Sequence, residues 1–313
     1  MKIVFMGTPE FAKNILQRLI EKKYDVVLVI TQPDRPVGRK KELLPTPVKQ
    51  LAIEHNISVI QPEKIKLDYQ AIVDVQPDLI ITAAYGQIIP KALIDLPRLG
   101  CINVHASLLP KYRGGAPIHQ AIIDGAPETG VTIMYMDVTM DTGDIITQAK
   151  TPITLSDDVG TMFDKLSVVG AELLIETLPT IANGTNPRIP QNHDEATYAY
   201  NIKRADELID WGKSASEINN QIRGLNPWPT AYTTINGINV KVFRAKTIAA
   251  TTIFPVDLQG QIVAVVKDKI HVIAGDQELL ELAEIQLAGK KRMPIKDILN
   301  GDHPFVVGAR FGT

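Results

Sequence analysis

Two polar side chains, Asn103 and His105, stand at the end of an apolar run that begins at Cys101. Residues two positions apart in a strand lie on the same face, so a strand here would place a carboxamide beside an imidazole. The amide donates hydrogen bonds without titrating, and the imidazole exchanges a proton near neutral pH. These properties suit the passage of an acyl or formyl group to a nucleophile through a negatively charged oxygen.

A carboxylate is needed to orient the histidine, and the segment MDTGD at residues 140–144 offers Asp141 and Asp144. Either one would fix the tautomer of His105. The sequence leaves the choice between them open. Each motif also has a purely structural alternative: a single Asn-x-His on a strand, and a DTGD turn stabilised by its own aspartates.

Short apolar runs alternate with segments of helical period from residue 1 to about residue 184. The pattern predicts strands at 2–6, 26–31, 79–84 and 101–105, and helices at 9–22, 47–56, 69–75 and 116–124. Such alternation is typical of an α/β domain, a Rossmann-like, doubly wound and mostly parallel sheet. Ligands of such sheets bind beyond the carboxyl ends of the strands, which is where Asn103 and His105 lie.

The pattern changes in the second half of the chain. Strands at 129–137 and 144–153 and a helix at 159–181 precede the segment NGTNPRIPQN at 183–192, which predicts a linker. A helix at 215–223 and consecutive strands at 230–235, 239–246, 261–266, 270–273 and 279–287 indicate a small OB-like β-barrel. We therefore expect a catalytic domain at 1–184, a linker at 185–207 and an OB-like domain at 208–313.

Composition limits the class of protein. The chain has 313 residues, 45% of them hydrophobic and 22% charged, with a formal charge of -2. The length favours two domains, and the near-neutral charge names no partner. The single cysteine, Cys101, excludes an internal disulfide and fits a reducing cytoplasm. The first residues predict a strand rather than a signal peptide, and no run approaches the roughly 18 apolar residues of a membrane span, so no membrane partner is expected.

Two common ligand signatures are absent from the sequence. The start FMGTPEF contains only Gly7 of the G-x-G-x-x-G fingerprint, and there is no Walker motif. The six histidines include none at a metal-ligand spacing from His105. We therefore expect no metal site.

The motif INVHASLLPKYRGGAPI, followed by MDTGD, resembles the active-site signature of the 10-formyltetrahydrofolate-dependent formyltransferases. The resemblance continues through FMGTPEFA, TQPDRPVGRKKELLPTPVK, AAYGQIIP and DWGKSASEINNQIRGLNPWP, and so covers nearly the whole chain. It is closest to the members that formylate initiator methionyl-tRNA for translation initiation.

The resemblance implies roles for individual residues. Asn103 and a protonated His105 would hold the oxyanion formed on 10-formyltetrahydrofolate, the formyl donor, and Asp141 would support the imidazolium. The folate would lie against the SLLP segment, Ser107, Leu108, Leu109 and Pro110. Loop position adds weaker candidates for the pterin pocket, namely Tyr85, Gly86, Gln87 and Asp137. The alternative for Tyr85 is that it only caps a strand end.

Basic residues indicate where a tRNA would bind. The insert at 32–49, QPDRPVGRKKELLPTPVK, is expected to contact phosphates through Arg35, Arg39, Lys40 and Lys41. The GKKR cluster of the C-terminal domain adds Lys290, Lys291 and Arg292, and an OB-like module can hold a nucleic-acid backbone without reading its sequence. The alternative for a short charged run is a solvated loop. No obligate protein partner is expected.

Two other functions fit parts of the pattern. An amino-sugar N-formyltransferase would use the same donor and the same three residues. A non-catalytic RNA-binding protein would use only the basic segments.

Overall fold

In the computed structural model, which describes residues 1–37, 42–255 and 257–313, the first half of the chain forms one seven-stranded sheet. The elements of this half are β1 (Lys2–Gly7), α1 (Glu10–Glu21), β2 (Asp25–Ile30), β3 (Arg35–Val37), β4 (Glu42–Leu44), α2 (Pro47–Glu54), β5 (Val59–Ile60), α3 (Gln70–Val75), β6 (Leu79–Ala83), α4 (Lys91–Ile94), β7 (Cys101–His105), α5 (Pro117–Ile123), β8 (Glu128–Tyr135), β9 (Ile145–Pro152) and α6 (Val159–Ala182).

The strand order of the large sheet is β5-β2-β1-β6-β7-β8-β9. The first five strands are parallel, and β8 and β9 continue the sheet antiparallel. The predicted mostly parallel, Rossmann-like sheet is confirmed. The chain proceeds from β1 to one edge and returns to β6 on the other side of β1, so the order reverses there. The carboxyl ends of the strands beside this point form the crevice where α/β sheets bind ligands.

Buried strands and amphipathic helices explain why this half folds. Residues 3–6 of β1 are fully buried, as expected for a parallel strand covered on both faces. The helix α1 buries Phe11, Ile15 and Leu19, which are four residues apart, and carries Glu10 and Arg18 at ends that suit its dipole. Gly7 lets the end of β1 pass close to its neighbours, because a Cβ there would lie 2.9 Å from Ala83 O.

Two short strands, which form a hairpin, lie within the insert at 32–49, where the sequence predicts no strand. β3 and β4 pair antiparallel, with Arg35 opposite Leu44. Asp34 fixes the base of the hairpin, because its carboxylate accepts hydrogen bonds from Lys49 and Gln61. These two contacts hold the pKa of Asp34 below its usual range.

The C-terminal elements are α7 (Ala215–Gly224), β10 (Ala231–Ile235), β11 (Ile238–Ile248), β12 (Ile262–Val266), β13 (Lys269–Ile273), β14 (Leu279–Leu287), β15 (Met293–Pro294) and α8 (Ile295–Ile298). Their described strands pair antiparallel in the order β10-β11-β14-β13-β12, with β15 on β14. The predicted C-terminal antiparallel β domain is confirmed.

The chain terminus lies between the two edge strands of this sheet. The N–H groups of Ile262 and Phe311 pair the terminus with the β12 side, donating to Ala309 O and Gly260 O, and Gly312 N–H donates to Thr234 O of β10. These bonds close the sheet as an OB-like barrel would require. The helix α7 begins with a capping box of Ser214 and Glu217 and buries Ile218 and Ile222 in the same core.

The chain forms two compact units. The first comprises Met1–Pro117, Glu128–Pro152 and Phe163–Tyr200, and the second comprises Ile118–Pro127, Ile153–Met162 and Asn201–Thr313. Two short segments of the first half thus belong to the second unit. The division into 1–184, 185–207 and 208–313 stays a prediction. Among the helices of the described residues, none is long and apolar enough to span a membrane.

Candidate active site

His105 ends β7 and is almost completely buried, with 6% of its surface exposed. Its Nε2 lies 3.1 Å from the carbonyl oxygen of Tyr112, and its Nδ1 lies 3.8 Å from Oδ1 of Asp141. Both neighbours are hydrogen-bond acceptors. An imidazolium, which carries a proton on each nitrogen, is the form that can donate toward both.

Asn103 lies two residues earlier on β7 and is half-buried. The neighbouring strand places Thr82 directly beside it, and the Thr82 hydroxyl lies 2.8 Å from Asn103 Oδ1. This contact occupies the acceptor end of the carboxamide, so the donor end, Nδ2, is the end left to point elsewhere. A fixed N–H donor beside an imidazolium is the arrangement that stabilises an oxyanion.

The loop between β8 and β9 brings Asp141 to the histidine. Its Oδ2 accepts the N–H of Gly114 at 2.7 Å, and its Oδ1 faces His105. Asp141 has a φ of 54°, an uncommon backbone conformation for a residue with a side chain. Asp144, the other aspartate that the sequence left open, lies 3.7 Å from the guanidinium of Arg188 instead. The structure therefore places Asp141, of the two, beside His105.

Two glycines allow this loop geometry. Gly114 has a φ of 119°, and a Cβ there would lie 2.6 Å from Ala199 O. At Gly143 a Cβ would overlap the carbonyl oxygen of Tyr135. Only glycine leaves both backbones where they are, and both flank contacts of Asp141.

Two hydrogen bonds, one within the loop and one to strand β8, fix the SLLP segment. The Ser107 hydroxyl donates to Lys111 O at 2.7 Å, and Leu109 N–H donates to the hydroxyl of Thr132. Ser107 and Leu109 are buried, whereas Leu108 and Pro110 are half-exposed. The buried pair thus shapes the loop, and the half-exposed pair presents a surface. Contact of the segment with folate stays a prediction.

The weaker pterin candidates have different surroundings. The ring of Tyr85 is buried in the core beneath β1 and β6, and burial raises the pKa of its hydroxyl to about 12. Gly86 is exposed with a φ of 89°. The side chain of Gln87 accepts Ile65 N–H and donates to Pro62 O, so it ties two loops together. Asp137 is exposed on the β8–β9 loop. Their contact with folate stays a prediction.

The basic residues proposed for tRNA differ in how their charge is used. Arg35 forms an exposed ion pair with Glu63, while Arg39, Lys40 and Lys41 lie outside the described residues. Lys290 and Lys291 are exposed.

Arg292 is more constrained than its neighbours Lys290 and Lys291. Its guanidinium makes two hydrogen bonds to Glu284, at 2.8 and 2.7 Å, and lies 4.2 Å above the ring of Phe243. Much of its charge is therefore balanced within the domain. Contact of Lys290, Lys291 and Arg292 with tRNA stays a prediction.

Three residues that the sequence does not predict shape the candidate site. Thr82 orients Asn103, and Arg113 and Gln191 contact each other behind the Asp141 loop. Arg113 stands inside the recognised motif, but an arginine beside two glycines usually indicates a surface turn. Gln191 lies in the segment predicted as a linker, where nothing in the pattern distinguishes it.

Among the described residues, no group of three or more His, Cys, Asp and Glu could hold a metal ion. A cavity of about 570 Å³, lined by Arg98, Tyr135 and Arg188 among others, lies at the Cys101 end of β7, away from His105.

Comparison with known proteins identifies the family. Residues 1–178 match the formyl transferase family, and residues 201–303 match the formyl transferase C-terminal domain. The chain is 54% identical to the methionyl-tRNA formyltransferase of Bacillus subtilis over 305 residues, covering 96% of this chain and 95% of the relative. It is 52% identical to that of Enterococcus faecalis, covering 96% of each.

Solved structures share the fold at low sequence identity. An N-formyltransferase of Helicobacter canadensis, in complex with folinic acid and dTDP-3-aminofucose, superposes with a TM-score of 0.69 at 21% identity, covering 90% of this chain and 98% of that one. HypX of Aquifex aeolicus, in complex with tetrahydrofolic acid, gives a TM-score of 0.66 at 16% identity, covering 96% of this chain and 47% of that one. The chain belongs to the formyl transferase family, and the relatives that it matches along nearly its whole length are methionyl-tRNA formyltransferases.

Proposed function

We propose that the chain transfers the formyl group of 10-formyltetrahydrofolate to the α-amine of methionine on initiator methionyl-tRNA. The single observation that carries the mechanism is the approach of Asp141 to His105, which lies two residues after Asn103 at the carboxyl end of β7. The names of the relatives support the acceptor, and the folate-bound neighbours support a folate donor.

The three residues have different roles in the proposed reaction. The amine lone pair attacks the formyl carbon, a new C–N bond forms, and the formyl oxygen becomes an oxyanion. Asn103 Nδ2 and the His105 imidazolium stabilise this oxyanion, while Asp141 keeps the imidazolium in place. The proton lost by the amine passes through water to the folate nitrogen as its bond to carbon breaks. The products are N-formylmethionyl-tRNA and tetrahydrofolate.

We propose that the hairpin insert and the C-terminal lysines hold the tRNA backbone. The supporting observations are that Asp34 anchors the base of the hairpin and that Arg35, on its first strand, is exposed. The exposed Lys290 and Lys291 add positive charge on the C-terminal domain. We also assign the reaction to the cytoplasm, which the free, buried thiol of Cys101 supports.

An assay with three acceptors tests the reaction. The purified protein is given 10-formyltetrahydrofolate with charged initiator methionyl-tRNA, with the same tRNA uncharged, or with a nucleotide-linked amino sugar. We expect formyl transfer to the charged tRNA alone. Formylation of the amino sugar alone would assign the chain to the other formyltransferases, and binding of tRNA without any transfer would indicate an RNA-binding protein.

The substitution Arg39→Ala tests the role of the insert. It should raise the KM for tRNA and flatten its dependence on salt, because one phosphate contact fewer releases fewer counterions. Folate binding should not change. If the KM for tRNA in the variant matched that of the wild type from low to high salt, Arg39 and the insert would have no role in tRNA binding.

A further inference from the structure

Gln191 uses every hydrogen-bonding position of its amide. Its Nε2 donates to the backbone carbonyls of Asp141 at 2.9 Å and Gly143 at 2.8 Å. Its Oε1 accepts from Nε of Arg113 at 3.1 Å and from a terminal nitrogen of the same guanidinium at 2.6 Å. The residue is 7% exposed. An amide with two donors and two accepting positions all occupied has one orientation, so it acts as a rigid connector.

Arg113 completes the connection on the other side. Its side chain is 1% exposed, and besides Gln191 it contacts Nδ1 of His193 at 3.3 Å. Its backbone N–H donates to Thr197 O, and its carbonyl oxygen accepts the N–H of Ala199. The next residue, Gly114, donates its N–H to the Asp141 carboxylate. Asp141 is therefore held twice: at its carboxylate by Gly114, and at its backbone by Gln191.

We propose that Gln191 is a positioning residue for Asp141, so that the segment predicted as a linker forms part of the active site. This inference rests on the proposed formyl transfer. The amide fixes the backbone on which Asp141 sits, and the φ of 54° at Asp141 shows that this backbone needs support. A side chain at 3.8 Å from His105 leaves little tolerance, because misplacement of a catalytic group by about 1 Å can cost about 10²-fold in rate.

The substitution Gln191→Glu separates positioning from simple packing. Glutamate has nearly the same shape and still accepts from Arg113, but it loses both donors and sets oxygens against two carbonyls. Gln191→Ala removes both halves of the connection. The control is Asn192→Ala, because Asn192 is the exposed neighbour in the same segment, and within the described part of the chain its side chain bonds only to Asp194 N–H and Glu195.

We expect kcat for methionyl-tRNA to fall about 10²-fold in both Gln191 variants. The KM values for tRNA and for the formyl donor should stay within about twofold of the wild type, because misplacing Asp141 affects the transition state more than binding. Asn192→Ala should match the wild type. An unchanged kcat in a folded Gln191 variant would overturn the proposal, and so would a raised KM with kcat unchanged.

A second measurement does not depend on activity. The amide hydrogen of Gly114 is protected by the Asp141 carboxylate, so release of the loop should speed its exchange with solvent in the Gln191 variants, and exchange at residues of β1 should not change. If the wild type transfers no formyl group, the proposed function fails, but this exchange experiment still decides the positioning role. Unchanged exchange at Gly114 would contradict it. If Gln191→Ala does not fold, Gln191→Asn, which is one methylene too short for all four bonds, takes its place.

Discussion

The residues of the candidate site divide into those proposed to contact the substrate and those that hold them in place. Asn103 and His105 are aimed by one strand, and Asp141 by a loop that Gly114 and Gln191 constrain. The sequence predicts the first group, because the period of two along a strand is visible in the residue order. It does not predict the second group, because Gln191 meets Asp141 only after about fifty intervening residues have folded.

The isosteric substitution Asn103→Asp tests the oxyanion donor. Aspartate still accepts from Thr82, but it has no N–H and brings a negative charge toward a negatively charged intermediate. We expect kcat to fall by at least about 10²–10³-fold, the usual cost of removing one such donor. The free energy of unfolding at neutral pH should change by much less than the activation free energy of formyl transfer. As a control, Thr82→Val removes the orienting hydroxyl alone, and its effect on kcat should be smaller.

Tyr85 gives a prediction about stability at high pH. Its buried hydroxyl has no hydrogen-bond partner among the described residues, and burial raises its pKa from 10.0 to about 12. As the pH rises past 10, the tyrosine ionises in the unfolded chain while the folded chain keeps its proton, so stability is lost between pH 10 and about 12. Tyr85→Phe should be as stable as the wild type at pH 7.

Urea unfolding of the wild type and Tyr85→Phe at pH 8 and pH 11 measures this loss. The wild type should lose more stability than the variant over this interval. Tyr200→Phe, at an exposed tyrosine, is the control. Equal losses in the wild type and Tyr85→Phe would show that the Tyr85 hydroxyl is not kept neutral by burial.

At the scale of elements, periodic segments are predicted well and short irregular ones are not. The strand predicted at 101–105 is β7 itself, and the long helix predicted at 159–181 is α6. The hairpin of β3 and β4 was missed because it is three residues a side, contains Pro36 and has no apolar alternation. The contacts of Asp34 with Lys49 and Gln61 at its base join residues 15 and 27 positions apart, which no local strand pattern contains.

Gly114→Ala tests how the catalytic loop is fixed as an element. An alanine there would have to adopt a φ of 119°, and its Cβ would lie 2.6 Å from Ala199 O. The loop must therefore shift, and the backbone N–H that donates to Asp141 shifts with it. We expect a loss of about 1–3 kcal/mol in the free energy of unfolding, together with a clear fall in kcat.

Gly184→Ala is the matched control, because Gly184 also has a positive φ, of 67°, but a Cβ there meets nothing within 4 Å. It should lose stability through backbone strain alone and keep its kcat. If both variants lost the same stability and neither lost activity, the contact between the loop and Ala199 would not matter to the site. Thermal unfolding and initial rates measure both effects.

At the scale of the whole molecule, the sequence predicts two parts of different fold class, but it does not predict which short segments belong to each part. The change from alternating helices and strands to consecutive strands marks the two classes correctly. The segments Ile118–Pro127 and Ile153–Met162 nevertheless belong to the second unit. Their membership depends on tertiary contacts, such as that of the His119 ring with Gly224 O, which no local pattern contains.

Stability of both units should fall in acid. The backbone N–H of Lys2 and the guanidinium of Arg98 hold the pKa of Asp78 below 3.8, and Arg292 holds that of Glu284 below 4.5. A lowered pKa in the folded state stabilises the protein above the unfolded value, and this contribution is lost as the pH falls through the folded value. Unfolding midpoints in urea should therefore drop as the pH is lowered from 5 to 3.

The variants Asp78→Asn and Glu284→Gln should each be less stable at pH 7 and should show a shallower acid dependence than the wild type. Part of the stability that the wild type loses in acid comes from protonation of these two carboxylates, so removing one carboxylate removes its part of that loss. An acid dependence as steep in both variants as in the wild type would mean that other carboxylates are responsible.

The most direct test of the proposed mechanism is a single-turnover measurement of formyl transfer to initiator methionyl-tRNA, with enzyme in excess, for the wild type and Asp141→Asn. The variant keeps the shape and still accepts the Gly114 N–H, but it has no charge to hold the imidazolium of His105. We expect N-formylmethionyl-tRNA from both, with the transfer step about 10²–10⁴-fold slower in the variant. Equal transfer rates, or no N-formylmethionyl-tRNA from the wild type, would contradict the account.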